Sequence, residues 1–293
     1  MNNQKIVCSV IVPIYEHWYL IPALIACLQK QTMEQAAFEV LLVDNGSSDF
    51  APPATLPKNV RVFQCHTPGS YAARNYAATH AQGEWLIFTD ADCLPTENWL
   101  QSLMTRVELL SDTNVLLAGA IQMRPRNSSP TIFEMYDLVK GIPQAWYVSR
   151  GYAVTANLAI SADLFIELGG FDHSRYSGGD AEFSRRAVQG GVILHYVEQA
   201  VVEHPARDTW SAVALKARRV KGGQLTSGTS RQRKAWLIKT FTPPLFAFVR
   251  FLKARNYPFK YRMAAVMVQL GIWLVELQEA YRLILAGKKA ERR

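Results

Sequence analysis

Asp90 and Asp92 stand one residue apart in FTDADC, at the end of the apolar run EWLIF. Residues two apart on a strand point the same way, and in the turn after a strand both can line one pocket. Two carboxylates at close range repel unless a cation or hydroxyls lie between them. A hard divalent ion such as Mg2+ or Mn2+, itself gripping phosphates, resolves that conflict. Asp is also favoured in ordinary turns, so the pair by itself leaves both readings open. Arg207, Arg218 and Arg219 offer complementary chemistry, because guanidinium suits phosphate through its forked donors; a solvated helix face is the plainer alternative. The cysteines at 8, 27, 65 and 93 form no CxxC pair and no zinc spacing with histidine. They read as small buried thiols of a reducing compartment.

The elements that would position these residues can be read from period and punctuation. KIVCSVIVPIY, FEVLLVD, NVRVFQCH and EWLIFTD have the near-continuous apolar character of strands buried on both faces. Between them lie helical stretches: Leu20–Gln31 with Pro22 in its first turn, SYAARNYAATHA between Pro-Gly and Gly83, and Glu97–Leu110. Strand and helix alternate at the spacing of right-handed crossovers, which predicts an open, mostly parallel α/β sheet. Ligands of such sheets bind beyond the C-terminal strand ends. Tyr15–Glu16, Asp44–Asn45 and Asp90–Asp92 all fall at such ends. Further on, AVTANLAIS reads as a strand, SADLFIELGG as a short helix capped by Ser161, and a helix starts near Asp180. GVILHYV and AVVEH read as two strands. The last helix, Tyr261–Leu285, carries Arg262, Gln269 and Glu276 on one narrow face and is otherwise apolar as far as Leu277. Such a helix must be buried in protein, in an oligomer interface or in lipid.

SVIVPIYE, LLVDNGSSD, PGSYAARNYA, FTDADC and GGFD…GGDAEF occur in this order. Together the five motifs resemble the inverting, nucleotide-sugar-dependent glycosyltransferases of family 2, over about residues 9–204. The resemblance implies a GT-A-type, Rossmann-like sheet flanked by helices. It implies a glycosyltransferase domain over 1–206, with a nucleotide-binding half to about 115 and an acceptor half beyond; the basic, amphipathic pattern of residues 207–293 reads as a helical extension after it. By the resemblance, Pro13, Tyr15 and Glu16 cradle the nucleobase, Asp44 bonds the base, usually uracil, and Arg74 lies beside base and diphosphate. Asp90 lies near the ribose, Asp92 ligates Mn2+ or Mg2+, and His204 completes the metal shell. Asn157 matches a position near the donor sugar. Asp180 is the general base, with an N-cap as its plainer role. Gly179 stands where the family places a Glu, which puts any role of that Glu in doubt. Arg207, Arg218 and Arg219 are expected to hold the diphosphate or a phosphorylated acceptor. The implied reaction moves a hexosyl or N-acetylhexosaminyl group from a UDP-type donor to a glycan or lipid-linked hydroxyl.

The 293 residues are 49% hydrophobic and 19% charged, which fits a folded core, with disorder expected only at ends such as GKKAERR. Net charge is +8, but thirteen Lys or Arg and one acid, Asp208, lie between Pro205 and Lys260. That segment carries +12 and leaves the rest at −4. Its Trp and Phe residues beside Lys and Arg fit a helix lying on an anionic membrane surface; a homodimer through the last helix is the alternative. The first apolar run is short and ends at a proline, so it reads as a strand and not a signal peptide. The longest uncharged stretch, Met263–Val275, is shorter than the ~20 residues a spanning helix needs. A cytoplasmic protein, peripheral on the cytoplasmic face of the membrane, is therefore expected. Nucleic-acid binding is not expected, since no recognised module accompanies the basic segment. GxGxxG and Walker A motifs are absent, and the DADC turn follows the fourth strand and lacks the Thr or Val of a haloacid-type phosphatase. A GT-A fold that binds nucleotide sugar without transferring it is the remaining alternative, and Gly179 leans towards it.

Overall fold

A computed structural model describes residues 5–175, 177–284 and 290. The chain forms two compact units: Met1–Gln122 with Pro143–His173 and Gly179–His204, and Met123–Ile142 with Ser174–Gly178 and Pro205–Arg293. In chain order the elements are β1 (Cys8–Ile14), α1 (Ile21–Gln29), β2 (Phe38–Asp44), β3 (Val60–Gln64), α2 (Ser70–Ala78), β4 (Trp85–Thr89), β5 (Leu94–Pro95), α3 (Trp99–Leu110) and β6 (Val115–Arg124). There follow α4 (Ile132–Lys140), α5 (Gln144–Val148), β7 (Asn157–Ser161), α6 (Ala162–Glu167), α7 (Gly179–Gln189) and β8 (Ile193–Pro205). Last come α8 (Trp210–Thr226), α9 (Ser230–Thr240), α10 (Leu245–Lys253) and α11 (Phe259–Ile284).

The first unit is built on an eight-stranded sheet of order β3-β2-β1-β4-β7-β6-β8-β5. Strands β3, β2, β1 and β4 are parallel, as expected. Beyond β4 the pairings β4–β7, β6–β7 and β5–β8 are antiparallel, so the sheet is mixed, not mostly parallel. Parallel pairing needs a crossover that returns the chain to the same end, and the strand–helix alternation that signals one breaks down after residue 115. The two apolar cores explain the unbroken hydrophobic strands. Val10, Val12 and Ile14 of β1 enter one core with α1 and α3, while Ile11 enters the other with α2, α6 and α7. Alternate side chains therefore serve opposite faces. The two strands expected near the end are one thirteen-residue strand, β8.

The second unit is helical. Tyr136 and Val139 of α4, Val213 and Ala217 of α8, Phe251 of α10 and Ala265, Val268 and Ile272 of α11 share one core. The polar face of α11 is used within this unit. Gln269 accepts from the Tyr136 hydroxyl at 3.2 Å, Glu276 pairs with Lys221 at 3.1 Å, and Arg262 donates to the Leu252 carbonyl at 2.9 Å. By length and composition alone α11 is also long and apolar enough to cross a membrane: its best 18-residue window has a mean hydropathy of 1.2, with 39% of it buried. The expected helix end at Leu285 and, except for residue 290, the expected disordered end lie outside the described residues.

Candidate active site

The turn after β4 carries Asp90, Asp92 and Cys93, and β8 brings His204 to it. Ligand atoms of these four residues all lie within 4.8 Å of one another. His204 Nε2 stands 3.8 Å from Asp92 Oδ2, with the histidine itself buried. Asp90 gives one oxygen to the buried guanidinium of Arg74 on α2. The donor set decides whether a divalent ion fits. Cys93 is fully buried, and burial with the nearby Asp92 and Asp90 charges pushes its thiol well above the usual range. Hard divalent ions also prefer oxygen to sulfur donors. What remains is carboxylate oxygen and one imidazole, a set compatible with Mn2+ or Mg2+.

Helix α2 organises the rest. Tyr71, Arg74 and Asn75 stand three and four residues apart and so share a face. Arg74 holds Asp90, and its guanidinium lies 5.9 Å from the Tyr71 ring centre. Asn75 clamps the backbone of Phe171 with two hydrogen bonds, at 2.8 and 2.9 Å. Tyr71 donates its hydroxyl to Asp180 Oδ1 at 3.2 Å and accepts the Gly179 N–H at 3.0 Å. Asp180 therefore stands in the first turn of α7 with a fixed carboxylate, which also accepts its neighbour Ala181 N–H at 2.8 Å. Burial raises Asp180 above the ordinary carboxylate range; the pulls of Ala181 N–H, Arg74 and Tyr71 in the other direction do not cancel it. A raised carboxyl suits proton abstraction near neutral pH. The same tyrosine explains Gly179. A Cβ there would lie 2.7 Å from the Tyr71 ring, so this chain holds an aromatic ring in space that a larger residue at 179 would need.

The ends of β1 and β2 form a second cluster. Asp44 is buried and accepts from Trp18 Nε1 at 2.8 Å, from the Gly46 and Ser47 amides at 2.9 and 3.1 Å, and from the Ser47 hydroxyl. Glu16 has a left-handed backbone (φ 59°), uncommon for a residue with a side chain. It is held there by its own N–H to Ser47 Oγ at 2.9 Å and by its carboxylate, which accepts from the Ser48 N–H and hydroxyl at 2.8 Å each. Tyr15 is exposed and Pro13 half-buried at the same strand end. Asn157 stands opposite Thr89, at the end of β4, but its side chain is turned into the protein. It is fully buried, donates to the Ala120 and Ala200 carbonyls at 2.8 and 2.9 Å, and accepts from Trp99 Nε1 at 2.9 Å. Both donors and the oxygen of its amide are engaged, tying β6, β7, β8 and α3 together. Arg207, Arg218 and Arg219 belong to the second unit, where Arg207 grips Asp137. Tyr71, Asn75 and Trp18 were missed by the sequence reading; their signal was spacing from Arg74 and proximity to the strand ends, which core aromatics share.

Among solved structures the chain is similar to a mannosyltransferase of Pyrobaculum calidifontis, PcManGT, in complex with GDP-Man and Mn2+. Identity is 18%, with a TM-score of 0.58 over 94% of this chain and 87% of that one. It is also similar to residues 1–349 of S. aureus TarS in complex with UDP, at 16% identity and a TM-score of 0.51 over 93% and 92% of the two chains. These likenesses show the GT-A fold. In sequence it is 32% identical over 258 residues to the glycosyltransferase AglE of Haloferax volcanii, covering 83% of this chain and 81% of that protein. The pre-mycofactocin glycosyltransferase of Mycobacterium tuberculosis is 26% identical over 191 residues, 61% of this chain and 40% of that protein. The model of the family described as glycosyl transferase family 2 matches residues 9–169, the segment that carries the cluster at the ends of β1 and β2 and the Asp90–Asp92 turn, and the chain belongs to that family.

Proposed function

We propose that this glycosyltransferase moves a hexosyl or N-acetylhexosaminyl group from a nucleoside diphosphate sugar, UDP-linked by preference, to a hydroxyl of a glycan or lipid-linked acceptor, with inversion. The observation that carries the reading is the convergence of Asp90, Asp92 and His204 donor atoms within 4.8 Å at the end of a sheet strand. A divalent ion held by Asp92, His204 and the second oxygen of Asp90 would act as a Lewis acid that neutralises the leaving diphosphate. Arg74 sets the Asp90 carboxylate and adds positive charge beside it. Pro13, Tyr15, Glu16 and Asp44 frame the place for the base and ribose, in loops that Ser47 and Ser48 lock together. Asp180 takes the proton of the acceptor hydroxyl as that oxygen attacks the anomeric carbon, and its raised carboxyl is matched to the task. One displacement with one base inverts the anomer and needs no nucleophilic side chain. PcManGT in complex with GDP-Man and Mn2+ and TarS in complex with UDP support a nucleotide-linked donor and a divalent ion without fixing the base.

The acceptor reading draws on the second unit. Leu245, Phe246 and Val249 of α10 are exposed together beside Arg250 and Lys253. That combination fits an anionic lipid surface and hence a lipid-linked acceptor. The reading is tested by donor hydrolysis with a panel of UDP-, GDP- and dTDP-sugars and Mn2+. Metal-dependent release of nucleoside diphosphate, lost in Asp92→Ala, is the expected result; no release from any donor would overturn it. Gly179 favours a second reading, a protein that binds nucleotide sugar without transferring it. Donor binding without any turnover, in the presence of glycan and lipid-linked acceptors, would select that reading.

A further inference from the structure

Three basic side chains of the second unit, Arg207, Lys216 and Lys140, act on the carboxylate of Asp137, and a fourth, Arg219, acts on Lys216. Arg207 donates to Asp137 Oδ2 twice, from its guanidinium at 2.8 Å and from its backbone N–H at 3.1 Å. Lys140 lies one turn beyond Asp137 on α4, with its Nζ 5.1 Å from the centre of the Tyr136 ring. Lys216 and Arg219 are three residues apart on α8, whose Val213 and Ala217 share a core with Tyr136 and Val139 of α4. The Arg219 Nε is buried with no hydrogen-bond partner. Burial, Arg207, Lys140 and Arg219 together hold the Lys216 amine well below its usual range, against the pull of Asp137. Two other acids of these segments are engaged elsewhere. Glu134 accepts from the Arg126 and Thr131 amides, and Asp208 faces Arg126 at 3.8 Å.

A structural ion pair needs one cation for its anion, and buried charge without a counter-charge is costly. Four basic side chains share one carboxylate here, and one of them, Lys216, is held below its usual range for want of a counter-charge, an arrangement suited to a second anion. We propose that Lys140, Arg207, Lys216 and Arg219, set around Asp137, form a binding site for a phosphoryl group. Assigning that group to the acceptor, as the phosphate of a lipid-linked or otherwise phosphorylated sugar, rests on the transferase reading above; the anion site itself does not. Arg207 and Arg219 supply forked donors, and Lys216 and Lys140 supply charge. A phosphate beside the Lys216 amine favours its charged form, against burial and the charges of Arg207, Lys140 and Arg219.

The test is calorimetry of the full chain with inorganic pyrophosphate in EDTA, so that no divalent ion at the Asp92 site contributes. Saturable binding is expected, weakened at least about tenfold in Lys216→Met and in Arg219→Met and unchanged in Asp92→Ala. Lys216→Met is expected to melt higher than wild type in phosphate-free buffer and to lose the stabilisation that pyrophosphate gives. A merely structural lysine would give the opposite, a lower melting temperature with pyrophosphate affinity unchanged. Two further arms separate the sources: phosphatidylcholine vesicles doped with a long-chain alkyl phosphate, and UDP in EDTA. Vesicle recruitment that depends on Lys216 and Arg219 supports the acceptor. Dependence of UDP binding alone on these residues overturns the acceptor assignment and gives the cluster to the donor. Absence of saturable pyrophosphate binding, or equal binding in wild type and both variants, overturns the site, whatever Asp92→Ala and Asp180→Asn do to turnover.

Discussion

Asp180 and Tyr71 make the residue scale testable. With the Asp180 carboxyl raised by burial, the protonated form persists to higher pH than for a free carboxylate, so kcat falls as pH drops through that raised value and is flat above it. Asp180→Asn is expected to leave donor binding intact and to lower kcat by about 10²–10⁴-fold, the usual worth of a general base. Unimpaired turnover would remove Asp180 from that role. Tyr71 donates to Asp180 and so holds its pKa down; Tyr71→Phe therefore moves the acid limb of the kcat–pH profile to higher pH. A merely structural tyrosine would lower the melting temperature and leave that limb in place. The acids were legible in the sequence because each ends an apolar run or follows a glycine pair. Tyr71 was not, because the same SYAARN could as well turn its tyrosine into the core. Only the spatial meeting of α2 with α7, across the 108 positions that separate Tyr71 from Gly179, brings it to Asp180. The departure at 179 was visible as a missing Glu, but its cause is a ring that a Cβ would strike.

Elements were legible where their period is local. Strands β1, β2 and β4 announce themselves as apolar runs, and α6 by its cap, the Ser161 hydroxyl that accepts from Leu164 N–H. The mixed second half of the sheet was not legible, since parallel and antiparallel partners of one strand leave the same pattern in its sequence. Asn157 shows the difference most clearly. Its place at the start of β7 matches a ligand-facing position by motif, yet Gly119 packs so closely on it that a Cβ there would lie 2.3 Å from its amide nitrogen. The polar face of α11 is visible in its sequence, but its partners are not. It meets α4 through Gln269 and α8 through Glu276, whose partner Lys221 is buried and also donates to Thr240 Oγ1 at 3.0 Å. Breaking a buried pair leaves one charge uncompensated at a cost of about 3–5 kcal/mol. Glu276 is partly exposed, so the lower end applies. Glu276→Leu, which strands the Lys221 amine, is expected to cost about 3 kcal/mol in urea unfolding at neutral pH. The double variant Lys221→Met, Glu276→Leu should recover most of it, and no recovery would show that the two act separately.

At the scale of the molecule the chain separates charge by unit, with an acidic sheet unit and a helical unit carrying nearly all the excess basic charge. That much was legible from composition. The inclusion of residues 123–142 in the basic unit was not, because α4 joins it by packing on α11 and not by sequence neighbourhood. Helix α10 shows what the basic unit offers outward. Leu245, Phe246, Val249 and Leu252 recur at helical spacing and are exposed, Phe246 at 95%, while Phe251 on the other side is fully buried. One face therefore holds the helix to its unit and the other presents apolar area flanked by Arg250 and Lys253. Burying such a face in a lipid interface gains from the apolar area and from attraction of the cations to anionic headgroups. The full chain is thus expected to float with phosphatidylglycerol-containing vesicles, less so as salt rises, because screening removes the electrostatic share and leaves the apolar one. Phe246→Glu with Val249→Glu, on exposed positions where folding is not at stake, should abolish flotation and leave donor hydrolysis unchanged. If that variant floats as wild type does while sedimentation shows a dimer reduced to monomers, α10 serves contact between copies of the chain, and the lipid surface is not its partner.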